Sequence, residues 1–264
     1  MNDIVVTYPF WGFKREVRAK VPTGWGELNA EQFVAVVRTI NGMAADIGFV
    51  ATITGIGKRL LARMHPYSLA KLSETIGFLG NVQTGHGDFL IKASPCPSKG
   101  GEKEQGMLMA PRAKLANMEF GQFIFADSYY NVWAATKSHI ALNLFVATIY
   151  LPEGEKFDAD TIEKRATEVA GIDLLTREAI AFNWGLINIW LQKVYPLVFQ
   201  QSTVEEGKDA AKSRTTQSPW LKLFDQLAGD NLPERDRWAA LPVNAVFRHL
   251  TEKVKESLRQ AQRP

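Results

Sequence analysis

The chain has 264 residues, with 31 basic and 28 acidic side chains and a formal net charge of +3 when histidine is neutral. Hydrophobic residues make up 46% of it, which excludes a disordered chain, and its glycines and prolines follow no collagen-like period. The single cysteine excludes an intramolecular disulfide and an all-cysteine metal site, and the length allows one large domain or two smaller ones.

Two short strands, at residues 4–8 and 16–21, open the predicted fold. The second alternates apolar with charged residues, as a half-buried strand does. The turn between them is rich in aromatic residues, and a turn this short cannot easily bury three large rings within its own hairpin. The rings therefore either pack in the core or anchor a partner, and both alternatives stay open. The candidate partner-binding residues at this hairpin are Phe10, Trp11, Phe13 and Trp25.

Helical periodicity replaces the strand pattern after the hairpin. Asn29 and Gln32 have the spacing of a capping box, and Asn41 with Gly42 ends the helix that follows. Two further helical stretches are predicted at 47–64, where three glycines weaken the pattern, and at 68–79.

Residues 80–111 are rich in glycine and proline and are predicted to form a long loop, a feature that is often functional. The loop contains one strand-like piece at 88–92. We expect Phe89 and Ile91 to face one way there and Leu90 the other.

The centre of the chain has the strongest helical pattern. Residues 120–149 form one helix or two, and the sequence Pro152-Glu153-Gly154 ends the pattern. Another helix begins at Asp158, where acidic residues suit the helix dipole. Asp173 caps a long helix that runs to Lys193 or beyond.

The C-terminal region begins with a predicted linker at 201–218, which contains one valine and no other large apolar side chain. A short amphipathic helix and a final helix at 241–259 follow it. Their aromatic residues complete the candidate partner-binding set, which here comprises Trp220, Phe224 and Phe247.

These elements predict a mainly α fold. An N-terminal β-hairpin lies on a helical bundle within 1–200, the loop 80–111 interrupts that bundle, and a C-terminal helical pair at 219–264 follows the linker.

Motifs for cofactor or metal binding are weak. The Gly55–Arg59 segment lacks the first glycine and the hydroxyl residue of a phosphate-binding loop. The four histidines show no ligand spacing, so we predict no metal and no cofactor.

One constellation is compatible with catalysis. Asp127 stands on an otherwise apolar helix face, and His139 follows it in sequence. A buried acid that faces a histidine can be catalytic, but it is more often a hydrogen-bonded core group. We therefore predict that the protein is not an enzyme, and an enzyme that uses Asp127 and His139 is the remote alternative.

The only candidate for a basic stripe that binds nucleic acid comprises Lys14, Arg15, Arg18 and Lys20, interrupted by Glu16. Short basic runs are weak signals, and the solvent face of a hairpin explains this one. We predict no nucleic-acid partner.

The longest uncharged runs, Ser138–Pro152 and Ala179–Gln192, have 15 and 14 residues. A membrane-spanning helix needs about 20, so we predict no membrane span. The N-terminus has its apolar stretch before its basic one, the reverse of a secretory signal. We expect a reducing cytoplasm or a particle assembled there.

The segment VPTGWGELNAEQF at 21–33 resembles the opening of uncharacterised proteins from tailed phages and prophages. Segments 115–130, 142–150, 182–199 and 219–230 look similar to the same proteins. The closing arrangement of a short helix bearing a tryptophan, a Gly-Asp turn, a proline and a final helix is similar to tail assembly chaperones. The resemblance covers most of the chain and carries over no catalytic residue.

This resemblance implies a non-catalytic protein of tail morphogenesis, foremost a tail assembly chaperone that binds the tape measure protein before the tail tube polymerises. The alternative is a structural virion component, such as a connector or a baseplate or tail subunit. In that case the aromatic hairpin is a contact between copies of the chain. The two alternatives imply the host cytoplasm and the assembled virion, respectively.

Overall fold

The computed structural model describes residues 1–11, 13–42, 46–95, 106–199, 219–229 and 231–261. The chain forms two compact units, Met1–His86 and Gly87–Pro264. The division falls inside the predicted domain 1–200. The predicted linker 201–218 lies outside the described residues and stays a prediction.

The first unit begins with the predicted hairpin. Strands β1 (Asn2–Phe10) and β2 (Phe13–Val21) pair antiparallel, in a register that sets Phe10 opposite Phe13. Both strands are longer than predicted. The connection between the strands is therefore two residues long, and Trp11 within it has a φ of +50°.

In the described part of the first unit, four α-helices follow the hairpin: α1 (Ala30–Ile40), α2 (Ile47–Thr54), α3 (Lys58–Leu61) and α4 (Pro66–Thr75). The predicted capping box is confirmed, because the Gln32 N–H donates to Asn29 Oδ1 at 2.9 Å and the Asn29 N–H donates to Gln32 Oε1 at 2.9 Å. The predicted helix at 47–64 is two helices. Gly55, with a φ of +70°, ends the first of them because glycine adopts this left-handed conformation without steric strain.

The core of the first unit forms around α1. Trp25 lies in a short 3₁₀ turn, Trp25–Glu27, and its ring packs edge-on against Phe33 and Phe78. The indole Nε1 of Trp25 donates to the Asn81 carbonyl at 3.3 Å, and the Gln32 amide donates to the Ile53 carbonyl at 2.9 Å. α2 packs against β2.

The second unit contains a three-stranded antiparallel sheet in the order β3 (Ala93–Pro95), β4 (Met107–Met109), β5 (Leu151–Pro152). Residues 196–199 are helical and are called α9. The other helices of this unit are α5 (Phe120–Thr136), α6 (His139–Ile149), α7 (Ile162–Val169), α8 (Leu174–Val194), α10 (Pro219–Ala228), α11 (Leu232–Ala239) and α12 (Val243–Ala261).

The prediction of a strand-like piece at 88–92 is wrong. Phe89, Leu90 and Ile91 are all buried, and the segment is not a strand. The side chain of Asn183 on α8 makes the main-chain hydrogen bonds to this segment that a neighbouring strand would make in a sheet. Its Oδ1 accepts from the Leu90 N–H at 2.6 Å, and its Nδ2 donates to the Asp88 carbonyl at 3.0 Å.

The predicted loop 80–111 contains both β3 and β4, so it is not structureless where the structure describes it. Residues 96–105 lie outside the described residues. The central helical region is two helices, because Lys137 ends α5 with a φ of +54° and the Ser138 side chain caps α6. Asp173 caps α8 as predicted, accepting from the N–H groups of Leu175 and Thr176.

The C-terminal helices pack on α5. The Phe120 N–H donates to the Leu241 carbonyl at 2.8 Å, and the Val243 N–H donates to the Met118 carbonyl at 2.9 Å. Between α10 and α12 lies α11, a helix that the sequence pattern did not predict. Side chains of α5, α10 and α12 form what we call the aromatic core cluster, which comprises Phe120, Phe123, Trp220, Phe224 and Phe247.

Candidate partner-binding site

The β1–β2 hairpin has one mainly apolar face. Opposite residues of an antiparallel pair share a face, so the register groups Val6 with Val17 and Ile4 with Ala19, together with Phe13. Val6 is buried, but Ile4, Val17 and Ala19 are only half-buried and Phe13 is 75% exposed. The apolar face is therefore least covered at the hairpin tip.

Among the described side chains of the tip, two aromatic rings are exposed. Trp11 is 89% exposed and Phe13 is 75% exposed. Burying one such ring stabilises a complex by about 1.5–3 kcal/mol. For Phe10 the structure describes the backbone, which pairs with Phe13.

The backbone at Trp11 is unfavourable for a tryptophan. Two-residue hairpin loops require positive φ and strongly prefer asparagine, aspartate and glycine. A φ of +50° costs a residue with a Cβ atom about 1–2 kcal/mol. The hairpin thus combines an unfavourable turn residue with a large exposed ring, a combination that points to a function other than stability.

Basic side chains flank this tip along β2. Arg15, Arg18 and Lys20 are exposed, as is Glu16. Within the described part of the chain, Arg18 and Lys20 have no ion-pair partner within 4 Å.

The other predicted partner-binding residues are core residues. Trp25 is buried in the first unit, and Trp220, Phe224 and Phe247 are buried in the aromatic core cluster. Such side chains cannot contact a partner while their helices stay packed. Among the predicted partner-binding residues whose side chains the structure describes, Trp11 and Phe13 are exposed, and a partner-binding role for the buried ones stays a prediction.

Asp127 and His139, the residues of the remote catalytic alternative, do not form an acid–histidine pair. Asp127 is buried on α5, where its Oδ2 accepts from the Asn131 amide at 2.9 Å. Burial, and then the charge of Asp127, raise the pKa of the neighbouring Tyr130. His139 is exposed at the first residue of α6, and neither a hydrogen bond nor an ion pair joins it to Asp127. Asp127 is thus a hydrogen-bonded core group.

Two exposed aliphatic residues were not selected from the sequence. Ile140 on α6 is exposed, and so is Leu232 on α11. No motif in the sequence marks either residue, and the helical periodicity does not predict that they are exposed.

Among the residues that the structure describes, no three His, Cys, Asp or Glu side chains converge as metal ligands would. None of the described helices is both long and apolar enough to cross a bilayer. Cys96 lies outside the described residues.

No protein-family model, curated protein or solved structure matches this chain.

Proposed function

We propose that the protein is a non-catalytic tail morphogenesis factor of a tailed phage or prophage. In this proposal it is a tail assembly chaperone that acts in the host cytoplasm and binds the tape measure protein through its hairpin tip. The observation that carries the proposal is the exposure of Trp11 and Phe13 on a hairpin whose turn disfavours tryptophan. The phage setting is supported by the resemblance of the segments at 21–33 and 182–199, among others.

The small size of the exposed aromatic surface at the hairpin tip favours a chaperone over a permanent subunit. Two rings that each contribute about 1.5–3 kcal/mol support a reversible complex, before the losses that association brings. Permanent assemblies instead bury about 2,000 Å² or more. A chaperone must release its partner, so a compact aromatic tip suits this role.

The test compares the native chain with a tip variant, Trp11→Asn/Phe13→Ser, in the producing cell. Each tagged chain is purified, and its partners are identified by sizing and mass spectrometry. Finished particles are examined separately for the chain. We expect the native chain to recover one long, helix-rich tail protein, the tip variant to lose it, and the finished particles to lack the chain.

Tyr67→Ser is the matched control, because Tyr67 is another exposed aromatic residue of the first unit, at 64%. We expect this variant to recover the partner like the native chain. Recovery of the partner by the tip variant would exclude the hairpin tip as the binding site. A stoichiometric amount of the chain in finished particles would replace the chaperone with the structural alternative.

A further inference from the structure

The hairpin has two open edges. β1 and β2 form a two-stranded sheet, and within the described residues no third strand pairs with either. Along an antiparallel strand, the main-chain N–H and C=O groups of alternate residues point towards the partner strand and away from it. Groups that point away form a template on which a further strand can add.

The position of Pro9 indicates which residues direct their main-chain N–H and C=O groups away from the partner strand. Proline has no N–H, so within a sheet it takes positions where the main-chain nitrogen faces away from the neighbouring strand. Pro9 lies opposite Lys14, which places the main-chain groups of Lys14 on the outer edge of β2. Because this orientation alternates along the strand, the main-chain groups of Glu16, Arg18 and Lys20 also lie on the outer edge of β2. In the described chain, the main-chain groups of these three residues make no hydrogen bond to an element outside the hairpin.

The two outer edges differ in their ability to pair. On β1, Pro9 occupies an outward position and cannot donate to an added strand. On β2, each of the four outward residues, Lys14, Glu16, Arg18 and Lys20, carries an N–H. The outer edge of β2 is therefore the one that can accept a complete ladder of hydrogen bonds.

The charges of β2 select the strand that can pair with it. β2 contains four basic residues and one acidic residue. Arg18 and Lys20 share a face with Glu16, whereas Val17 and Ala19 lie on the apolar face. Acidic residues of an added strand would lie beside the basic side chains, and its apolar residues would extend the apolar face. A second copy of β2 would instead bring a strand of mainly like charge alongside, which disfavours self-pairing.

We infer that the outer edge of β2 binds an extended segment of a partner protein in which acidic and apolar residues alternate over about seven residues. This inference rests on the proposed function, because it takes the same hairpin to be the partner-binding element, and it specifies the class of segment that binds.

The test uses the purified full chain and a fluorescein-labelled peptide of about eight residues in which glutamate alternates with valine. One control peptide has lysine in place of glutamate, and another has the same composition without alternation. From the cross-strand charge pairs we expect the alternating acidic peptide to bind about ten-fold more tightly than either control. We expect salt to weaken this binding and amide hydrogen exchange to slow at residues 14–20.

A matched pair of variants distinguishes the two edges. Glu16 and Thr7 lie opposite each other and both occupy outward positions. Glu16→Pro removes an N–H from the outer edge of β2, whereas Thr7→Pro removes one from the edge of β1 at the same level. We expect Glu16→Pro to lower peptide affinity about ten-fold and Thr7→Pro to leave it unchanged. Because proline can also disturb the strand, the exposed pair Arg18→Glu/Lys20→Glu provides a second test, in which the preference should shift to the lysine peptide.

Equal binding of the acidic and lysine peptides would overturn the inference, as would equal effects of Glu16→Pro and Thr7→Pro in folded variants. Dimerisation through β2 in the absence of peptide would assign the edge to a second copy and overturn it as well. If the peptide fails to bind while the tape measure partner still requires Trp11, the inference fails and the proposed function stands. If the charge-reversed variant shifts its preference but no cellular partner requires Trp11, the proposed function fails and the inference stands.

Discussion

At the scale of single residues, backbone strain and exposure coincide at Trp11. Asparagine tolerates a φ of +50° better than other residues with a Cβ atom. We therefore expect Trp11→Asn to raise the free energy of unfolding by about 1 kcal/mol while it weakens partner binding. Equilibrium unfolding in urea measures the first effect.

Trp11→Ala is the control for this prediction. Alanine also removes the exposed ring but keeps the steric conflict of its Cβ atom at positive φ. Its stability should stay close to that of the native chain. If the alanine and asparagine variants were equally stable, the backbone at Trp11 would carry no strain.

Asn183 is a second residue whose role is fixed by specific hydrogen bonds. It is buried and contacts the Leu90 N–H and the Asp88 carbonyl at the same time. We expect Asn183→Ala to lower the free energy of unfolding by about 2–3 kcal/mol, since it leaves a buried N–H without an acceptor. Urea unfolding monitored by near-UV circular dichroism provides the measurement.

Asn183→Asp adds a pH dependence that the native side chain lacks. A charged carboxylate can accept from Leu90 but cannot donate to the Asp88 carbonyl, so folding favours the protonated form and raises the pKa of the new carboxyl group. Its stability should therefore rise as the pH falls from about 7 to about 4, relative to native protein. A parallel response in the two proteins would contradict the hydrogen-bond assignment.

At the scale of elements, the base of the hairpin depends on Glu27. The Met1 ammonium group and then the N–H and hydroxyl of Thr23 donate to its carboxylate, which lowers the pKa of Glu27 from 4.5 to about 2. A depressed pKa contributes stability that is complete above the unfolded value of 4.5 and is lost as the pH falls through about 2.

We therefore expect Glu27→Gln to remove part of the loss of stability between pH 4.5 and about 2. Urea midpoints of the native and variant chains over this range measure the difference. Glu31→Gln is the control, because Glu31 lies on α1 and no hydrogen bond to its carboxylate is present in the described chain. If both variants showed the native pH profile, the contact at Glu27 would not contribute to folding.

Elements with local signals were predictable from the sequence. Asn29 with Gln32 and Asp173 act through backbone groups two or three residues away, so their spacing alone identified the helix starts. The contact between Leu90 and Asn183 joins residues 93 apart, and no local pattern reports it. The helix α11 was missed because none of its side chains is buried; the Asp225–Arg235 ion pair, at 2.6 Å, joins it to α10 instead.

The candidate site was predictable only in part. Trp11 and Trp25 both belong to one aromatic segment, and the composition does not distinguish an anchor from a core residue. Their difference arises from Phe33 on α1 and Phe78, which enclose Trp25. Among the described side chains, Trp11 has no such aromatic neighbour, because it occupies the two-residue connection between the strands.

At the scale of the whole molecule, the aromatic core cluster links the C-terminal helices to the centre of the second unit. Phe247 is fully buried and contacts the rings of Phe123 and Trp220 at centroid distances of 5.3 and 5.1 Å. We expect Phe247→Ala to lower the free energy of unfolding by about 3–5 kcal/mol.

Leu258→Ala is the matched control on the same helix, since Leu258 is half-exposed near the end of α12. Its effect should stay within about 0.5 kcal/mol. Urea unfolding followed by near-UV circular dichroism compares the two variants. Equal losses would show that the second unit does not depend on the cluster.

Because the tryptophans differ in burial, the fluorescence of the exposed Trp11 can be distinguished from that of the others. All seven lie in the part of the chain that the structure describes, and Trp11 alone among them is exposed. An aqueous quencher such as iodide should therefore remove the long-wavelength part of the emission first, and the nearby cations of β2 should attract this anion. A partner that covers the tip would shield that emission and shift it to shorter wavelength. Occupancy of the hairpin can thus be followed without a label.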